Sequence, residues 1–342
     1  MKAVRLHQFG GPEVLRLEDV PDPAPMTGDV LLRVRACGLN HLDVDCRAGV
    51  SRLPLVLPHT LGREIAGEVV ALAPGVDSVL VGDRVLAHIA PACGRCGACL
   101  AGRDNLCQKP NLPGIHRPGG YAELAVVSAW GIEAIPPQLS FQEAAAVPIA
   151  FGTAWHMLIT RGRLRAGETV LIQAAGSTIG SAAIQVARLA GARIIATAGS
   201  DAKLSKAKAL GVHETINYRE EDLVAAVRKH TDGRGVDLVF EHIGGEVFTK
   251  SLACLVPGGR MAVCGAHAGE VVPFDIIEFF RREIDLLGSF RATSAELRQV
   301  FSLVVESRLR PVIHAAFPLA EAAEAHRVME RREHFGKLLL VP

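Results

Sequence analysis

Between Phe151 and about Leu287 the chain alternates short apolar runs with helical stretches, and this rhythm limits the possible folds more than any other feature. Val170-Leu171-Ile172 reads as a buried strand and Ser181 to Ala190 as a helix. Ile194 to Thr197 is a second strand and Ala202 to Leu210 a second helix. The pattern goes on with a strand at Asp237 to Glu241, a helix from Glu246 to Leu255, and strands at Arg260 to Cys264 and Ile284 to Leu287. Parallel neighbours need a long crossover, usually a helix, so this order predicts an α/β fold with six strands in a doubly wound parallel sheet.

Upstream the texture differs. From Met1 to about Ala150, strand-like runs such as Val30 to Val34, Ile65 to Ala71 and Arg84 to His88 are cut by Gly and Pro, as in an all-β domain. After Phe290 come a helix at Ala295 to Ser307, a helix at Glu321 to Arg332 and an apolar run at Leu338 to Val341, which are expected to rejoin the β-rich part. The expected division is residues 1–150 with 292–342 in one domain and 151–291 in the other. A chain of 342 residues, 49% apolar, is long enough for two cores.

The net charge of +1 comes from 37 basic and 36 acidic residues spread along the chain. No basic patch suits nucleic acid or an anionic membrane, and no run of about 18 apolar residues occurs. The start, Met1-Lys2-Ala3-Val4-Arg5, lacks a secretory pattern. A cytoplasmic location, a small-molecule substrate and self-association are therefore expected.

Between the first sheet strand and its helix lies Gln173-Ala174-Ala175-Gly176-Ser177-Thr178-Ile179-Gly180. Read against G-x-G-x-x-G, Ala175 and Ser177 stand in place of the first two glycines and Gly180 is kept. Small side chains in a strand-turn-helix let backbone N–H groups approach a pyrophosphate, so dinucleotide binding is expected at Ala175 to Gly180. NAD enzymes usually place an acid at the tip of the second strand, on the ribose 2′-hydroxyl. Here the chain reads Gly199-Ser200-Asp201-Ala202-Lys203, with the Ser200 hydroxyl at the tip and Lys203 one turn along to meet a 2′-phosphate. NADP(H) is favoured, while the nearby Asp201 keeps NAD(H) as the alternative.

Four cysteines, Cys93, Cys96, Cys99 and Cys107, follow the spacing C-x2-C-x2-C-x7-C, separated by glycines and polar residues. Such a loop can fold four thiolates around one tetrahedral zinc. Cys37, Cys46, Cys254 and Cys264 show no pairing logic and read as small buried apolar residues.

Together these segments resemble the medium-chain dehydrogenase/reductase superfamily, which includes zinc alcohol dehydrogenases and quinone oxidoreductases. The resemblance also runs through Gly10-Gly11-Pro12-Glu13-Val14-Leu15, Gly62-Arg63-Glu64-Ile65-Ala66-Gly67, Gly119-Gly120-Tyr121-Ala122-Glu123, Thr153-Ala154-Trp155, Ile216-Asn217-Tyr218 and Phe335-Gly336-Lys337. It implies a GroES-like β-rich catalytic domain beside a Rossmann sheet, and one structural zinc on the four-cysteine lobe. It also implies that Thr153 backs the nicotinamide ring, that Cys264, Gly265, Ala266, Ser289 and Phe290 line it, and that Lys203 and Tyr218 hold the 2′-phosphate. A homodimer or homotetramer through the sheet edge near Met261 to Gly265 and Leu286 to Ser289 belongs to the same resemblance.

The pattern breaks where zinc alcohol dehydrogenases hold a second, catalytic ion on Cys, His and Cys. Carried over motif by motif, those positions are Asn40, Arg63 and Ile149, and a guanidinium cannot ligate zinc. Leu42 replaces the hydroxyl that relays the alcohol proton. Two acids of that site remain, Asp43 and Glu64, and Arg63 between them is expected either to fill the old pocket as a salt bridge or to hydrogen-bond a substrate oxygen. An unfamiliar metal site on Cys37, His41, Cys46 and His59 is the alternative.

Without a Lewis acid, hydride transfer is easiest to a substrate that accepts negative charge itself, such as a quinone or an α,β-unsaturated carbonyl. Asn40 and Arg63 are the polar groups expected to face it, with Thr153 behind the ring and Tyr121 a weaker candidate for proton donor. An alcohol dehydrogenase with an atypical site, and a non-catalytic nucleotide-binding member of the same fold, are the competing readings.

Overall fold

The computed structural model describes all 342 residues. In chain order the strands are β1 Lys2–Arg5, β2 Arg16–Asp19, β3 Asp29–Leu39, β4 Glu64–Leu72, β5 Arg84–Leu86, β6 Leu124–Ser128 and β7 Glu133–Ala134. Then come β8 Thr169–Ile172, β9 Arg193–Ala198, β10 Glu214–Asn217, β11 Val236–Glu241, β12 Leu255–Val263 and β13 Asp285–Gly288. β14 Ile313–Pro318 and β15 Lys337–Val341 close the chain. Two compact units result, Met1–Ile149 with Thr293–Pro342, and Ala150–Ala292.

In the first unit one sheet runs β14-β15-β3-β4-β5-β7, with β6 also paired to β3. β3 alternates buried and more exposed residues over its first half, then stays buried from Ala36 to Leu39. That change marks where both faces become covered, and it brings Gly38 inside and leaves Asn40 half-buried just beyond the strand. β15 lies antiparallel on this buried half, with Leu339 opposite Gly38 and Leu340 opposite Cys37. The C-terminal strand thus delivers Lys337 beside the start of β4.

The second unit is a six-stranded parallel sheet in the order β10-β9-β8-β11-β12-β13, a Rossmann fold. β10 is the sixth strand, and the helix Leu223–His230 after it was not anticipated from the pattern. Leu171, Ile195, Ile216, Val239 and Met261 from adjacent strands pack on Val227 and Phe248 of the covering helices. Each such side chain, fully buried, stabilises by roughly 1.5–3 kcal/mol. In the helix Thr178–Leu189 the buried residues include Gly180, Ser181, Ala182, Ala183 and Ala187, small enough for close approach to the sheet. No helix of the chain is long and apolar enough to cross a membrane.

Candidate functional site

Because the strands of the second unit are parallel, their carboxyl ends share one edge, and the expected nucleotide residues fall on it. Gln173 to Gly180 follow β8, Ser200 and Lys203 follow β9, and Tyr218 follows β10. Cys264, Gly265 and Ala266 follow β12, and Ser289 and Phe290 follow β13. Ligands of open α/β sheets bind outside this edge, where the strand order reverses between β8 and β11.

The turn after β8 is held by its neighbour: the Ala174 N–H donates to Thr197 Oγ1 at 3.1 Å and the Ala175 N–H to the Thr197 carbonyl at 2.8 Å. Ala174 adopts a φ of 47°, which bends the chain into the helix. Ser177 caps that helix, its Oγ accepting the Gly180 N–H at 2.9 Å. A Cβ at Gly180 would lie 2.3 Å from the Ala174 carbonyl oxygen, so only glycine fits this turn. The arrangement suits a pyrophosphate: a tight turn of small residues, opening a twelve-residue helix at its positive end.

At the tip of β9, the Tyr218 ring stacks so close to Gly199 that a Cβ there would meet its Oη at 2.6 Å, with Arg219 Nε at 3.1 Å. Arg219 went unnoticed in the sequence, since its nearness to Gly199 depends on β10 pairing with β9. Asp201 is engaged by Asn217 Nδ2 at 3.2 Å. Glu241, at the end of β11, was also missed. It is fully buried, its Oε1 accepts the Ile243 and Gly244 N–H groups at 2.7 and 3.0 Å, and burial raises its pKa.

In the first unit, the positions of the lost metal ligands converge on Glu64. Its Oε1 accepts the Ile149 N–H at 2.7 Å, and its Oε2 accepts Asn40 Nδ2 at 2.9 Å together with the ammonium of Lys337. Lys337 Nζ also donates to Asn40 Oδ1 at 2.8 Å. An ammonium only donates, so this contact fixes the amide with Oδ1 toward Lys337 and Nδ2 toward Glu64. Gly38 makes the room, since a Cβ there would lie 2.6 Å from Glu64 Oε2 and 2.7 Å from Lys337 Cε.

The cation that pairs with Glu64 is therefore Lys337 and not, as expected, Arg63. Arg63 is buried beside the cluster and donates from Nη2 to the Ile89 carbonyl at 3.4 Å. Burial lowers the Arg63 pKa, against the pull of Asp43 and Glu64. Asp43 reaches back from the first turn of helix His41–Ala48 to accept the Asn40 N–H at 2.8 Å, and burial pushes its pKa up to about 6.

Tyr121 does not face a substrate: it is fully buried, with its hydroxyl 3.4 Å from His326 Nε2. Arg47 Nη1 lies 3.3 Å from His326 Nδ1, and because arginine only donates, the His326 proton sits on Nε2 and points to Tyr121. Burial, reinforced by the Arg47 charge, holds His326 neutral with a pKa down to about 3.

The same architecture is found in known proteins. Residues 26–137 match the alcohol dehydrogenase GroES-like domain, and residues 178–306 match the zinc-binding dehydrogenase family. The chain is 32% identical to the quinone oxidoreductase of Homo sapiens, over all of its own length and 98% of the relative's. The chain is a medium-chain dehydrogenase/reductase.

It is thus an oxidoreductase of that superfamily, with a nicotinamide cofactor. A 2-haloacrylate reductase of a Burkholderia species is 31% identical over 99% of this chain and 98% of its own. A solved structure described as an NAD-dependent alcohol dehydrogenase superposes with a TM-score of 0.94 at 43% identity, each chain fully covered. In this dehydrogenase/reductase the sulfurs of Cys93, Cys96, Cys99 and Cys107 all lie within 4.8 Å of one another. Cys93 and Cys99 are 3.9 Å apart and Cys96 and Cys99 3.5 Å. Four thiolates at about 2.3 Å from a zinc stand roughly 3.8 Å apart, so the donor set fits a structural zinc. Cys107 Sγ also accepts the N–H groups of Cys93 at 3.3 Å and Lys109 at 3.4 Å, which steadies a thiolate.

The unfamiliar metal site does not assemble. Cys37, Cys46 and His59 belong to no cluster of metal-ligating groups. Cys37 is a packing residue: a Cβ at Gly62 would lie 2.7 Å from its sulfur and one at Gly120 2.9 Å, and burial raises its thiol well above the ordinary pKa.

Proposed function

We propose that this chain transfers a hydride from NADPH to a conjugated acceptor, a quinone or an α,β-unsaturated carbonyl compound, without a catalytic metal. One observation carries the reading: a buried Glu64 and Lys337 ion pair, bonded through Asn40, stands where zinc alcohol dehydrogenases hold their catalytic ion. Asn40, Arg63 and Ile149 supply neither thiolate nor imidazole, so this donor set does not fit a zinc. A reduced nicotinamide, when bound, supplies the hydride.

The chain's own residues would do the rest. Ala175 to Gly180 would cradle the pyrophosphate, Thr153 would back the ring, and Cys264, Gly265, Ala266, Ser289 and Phe290 would line it. Asn40 and Arg63 would donate hydrogen bonds to the acceptor's oxygen as it gains charge, replacing the Lewis acid with preorganised donors. The names of the relatives support this reading, because quinones and 2-haloacrylates are both conjugated acceptors.

NADPH over NADH rests on Tyr218 and Arg219 beside Gly199 and on Ser200 and Lys203 just after β9, with Asp201 occupied by Asn217. With 1,4-benzoquinone and 2-cyclohexenone as acceptors, oxidation of NADPH is expected to outpace that of NADH. Lys203→Ala with Arg219→Ala should lower kcat/KM for NADPH by about tenfold or more, the size of a lost charged hydrogen bond, and leave NADH nearly unchanged. Equal losses with both cofactors would refute the assignment. The alcohol dehydrogenase structure at 43% identity favours a second reading, NAD-linked alcohol oxidation. Ethanol-dependent NAD reduction with no activity on either acceptor would select it.

Self-association is assigned to the edge strand β13. Leu286 on it and Ile276, Ile277 and Phe280 beside it are exposed apolar residues on an unpaired sheet edge. Light scattering is expected to give a dimer or tetramer for the native chain and a smaller species for Leu286→Lys. A native monomer would overturn the assignment.

A further inference from the structure

Arg63 is the anomaly of the first unit. Its side chain is buried, 7% exposed, yet of its five N–H donors only Nη2 has an acceptor, the Ile89 carbonyl at a long 3.4 Å. Nε has no hydrogen-bond partner at all. Buried donors are nearly always paired, because an unpaired one forfeits its hydration for nothing, and a charged group forfeits more.

The neighbouring anions do not account for it. Glu64 is already filled by Lys337, Asn40 and the Ile149 N–H. Asp43 gives one oxygen to the Asn40 N–H and its carboxylate also lies against the Tyr121 hydroxyl, so its charge acts on Arg63 without a direct hydrogen bond. Arg63 also occupies a position that in the zinc enzymes holds a ligand of the catalytic ion. A guanidinium there presents a planar fork, matched to the two oxygens of a carboxylate.

We propose that Arg63 anchors a carboxylate on the substrate, and that the preferred acceptor is an α,β-unsaturated carboxylic acid rather than a neutral enone or quinone. The inference rests on the conjugated-acceptor reading above. A carboxylate is a poor electron sink alone, because addition at Cβ gives it a second negative charge. The hydride bonds to Cβ, the alkene pair moves to form a C=C bond between Cα and the carboxyl carbon, the C=O π pair of that carbon moves onto oxygen, and the resulting enediolate is dianionic. A bidentate guanidinium meets that charge where it develops. A proton from solvent then adds to Cα, leaving the saturated acid and the oxidised nicotinamide, so two electrons and one proton are accounted for beyond the hydride's nucleus.

The test compares matched substrates with the zinc-loaded full chain and NADPH: crotonate, its methyl ester and 3-penten-2-one. Crotonate is expected to exceed the ester in kcat/KM by about tenfold, and Arg63→Lys, which keeps the charge and loses the fork, should erase that preference chiefly through KM. Butanoate, the saturated product, serves as a binding probe independent of turnover. Calorimetry should find Arg63-dependent binding, weakened about tenfold in Arg63→Lys and in Arg63→Gln.

Equal or better use of the neutral compounds by the native enzyme would overturn the carboxylate proposal and leave the conjugated-acceptor reading intact. Butanoate binding that is absent, or unchanged by both variants, would overturn it too. If no acceptor is reduced, the conjugated-acceptor reading fails while the butanoate titration still decides the role of Arg63. Should Arg63→Gln fail to fold, Arg63→Lys and the native acid-to-ester ratio carry the decision.

Discussion

Lys337→Met is expected to lose about 3–5 kcal/mol of folding stability, the usual result of removing one partner from a buried ion pair. Lys337 is 1% exposed and Glu64 is fully buried, so water cannot replace the missing ammonium. The remaining donors to Glu64, Asn40 Nδ2 and the Ile149 N–H, are neutral and leave its charge uncompensated. Urea unfolding at neutral pH measures the loss. The double variant Glu64→Gln with Lys337→Met should recover much of it, because a neutral amide with an apolar neighbour no longer buries a lone charge. A single variant within about 1 kcal/mol of the native chain would mean that Arg63 moves in as the partner of Glu64, and would reinstate the salt-bridge role expected for Arg63 from the sequence.

That outcome bears on catalysis as well. Lys337 holds the oxygen end of the Asn40 amide, so its removal frees the amide to rotate about its last bond. Under the proposed function, in which Asn40 donates to the acceptor, that donation would lose its direction even where the fold survives. The ion pair is thus both a structural weld and the support of the polar group above it.

What could be read along the chain was local. The parallel sheet follows from apolar runs four to six residues long alternating with helices, and the zinc lobe from cysteines spaced within fifteen residues, both patterns that short windows contain. The turn at Gln173 to Gly180 was legible because strand, small residues and helix follow one another directly. The contacts that were missed cross the fold. Lys337 meets Glu64 across 273 residues and Asn40 across 297, and its position before an apolar strand carries no sign of what it will touch. Arg63 lies next to Glu64 in sequence, which made it the natural partner on local grounds. Both oxygens of Glu64 are taken by donors remote in the chain, however, and Arg63 is left beside it without a direct bond. Arg219 is hidden for a related reason, since only the pairing of β9 with β10 brings it to Gly199.

Zinc removal is expected to unfold the cysteine lobe and to spare both sheets. The helix Gly97–Leu100 buries none of its residues, and Leu100 and Leu106 are exposed, so the loop has almost no apolar core to order it. Thiolate coordination must supply that order, and structural zinc in small domains is worth about 10–16 kcal/mol at neutral pH. Metal analysis should find one zinc per chain. After chelation, or in Cys99→Ser, trypsin should cut at Arg95 and Arg103, while hydrogen exchange in β8 to β13 stays slow. The lobe is tied back to its own unit by Asp104, whose carboxylate accepts the Ser294 N–H at 3.2 Å at the start of the helix Ser294–Val305. Loosening should therefore spread to that helix start and end there. Two zinc ions per chain would revive a catalytic metal. A chelated protein that resists trypsin at both arginines would show that the lobe orders itself without the ion, and the four cysteines would then need another explanation.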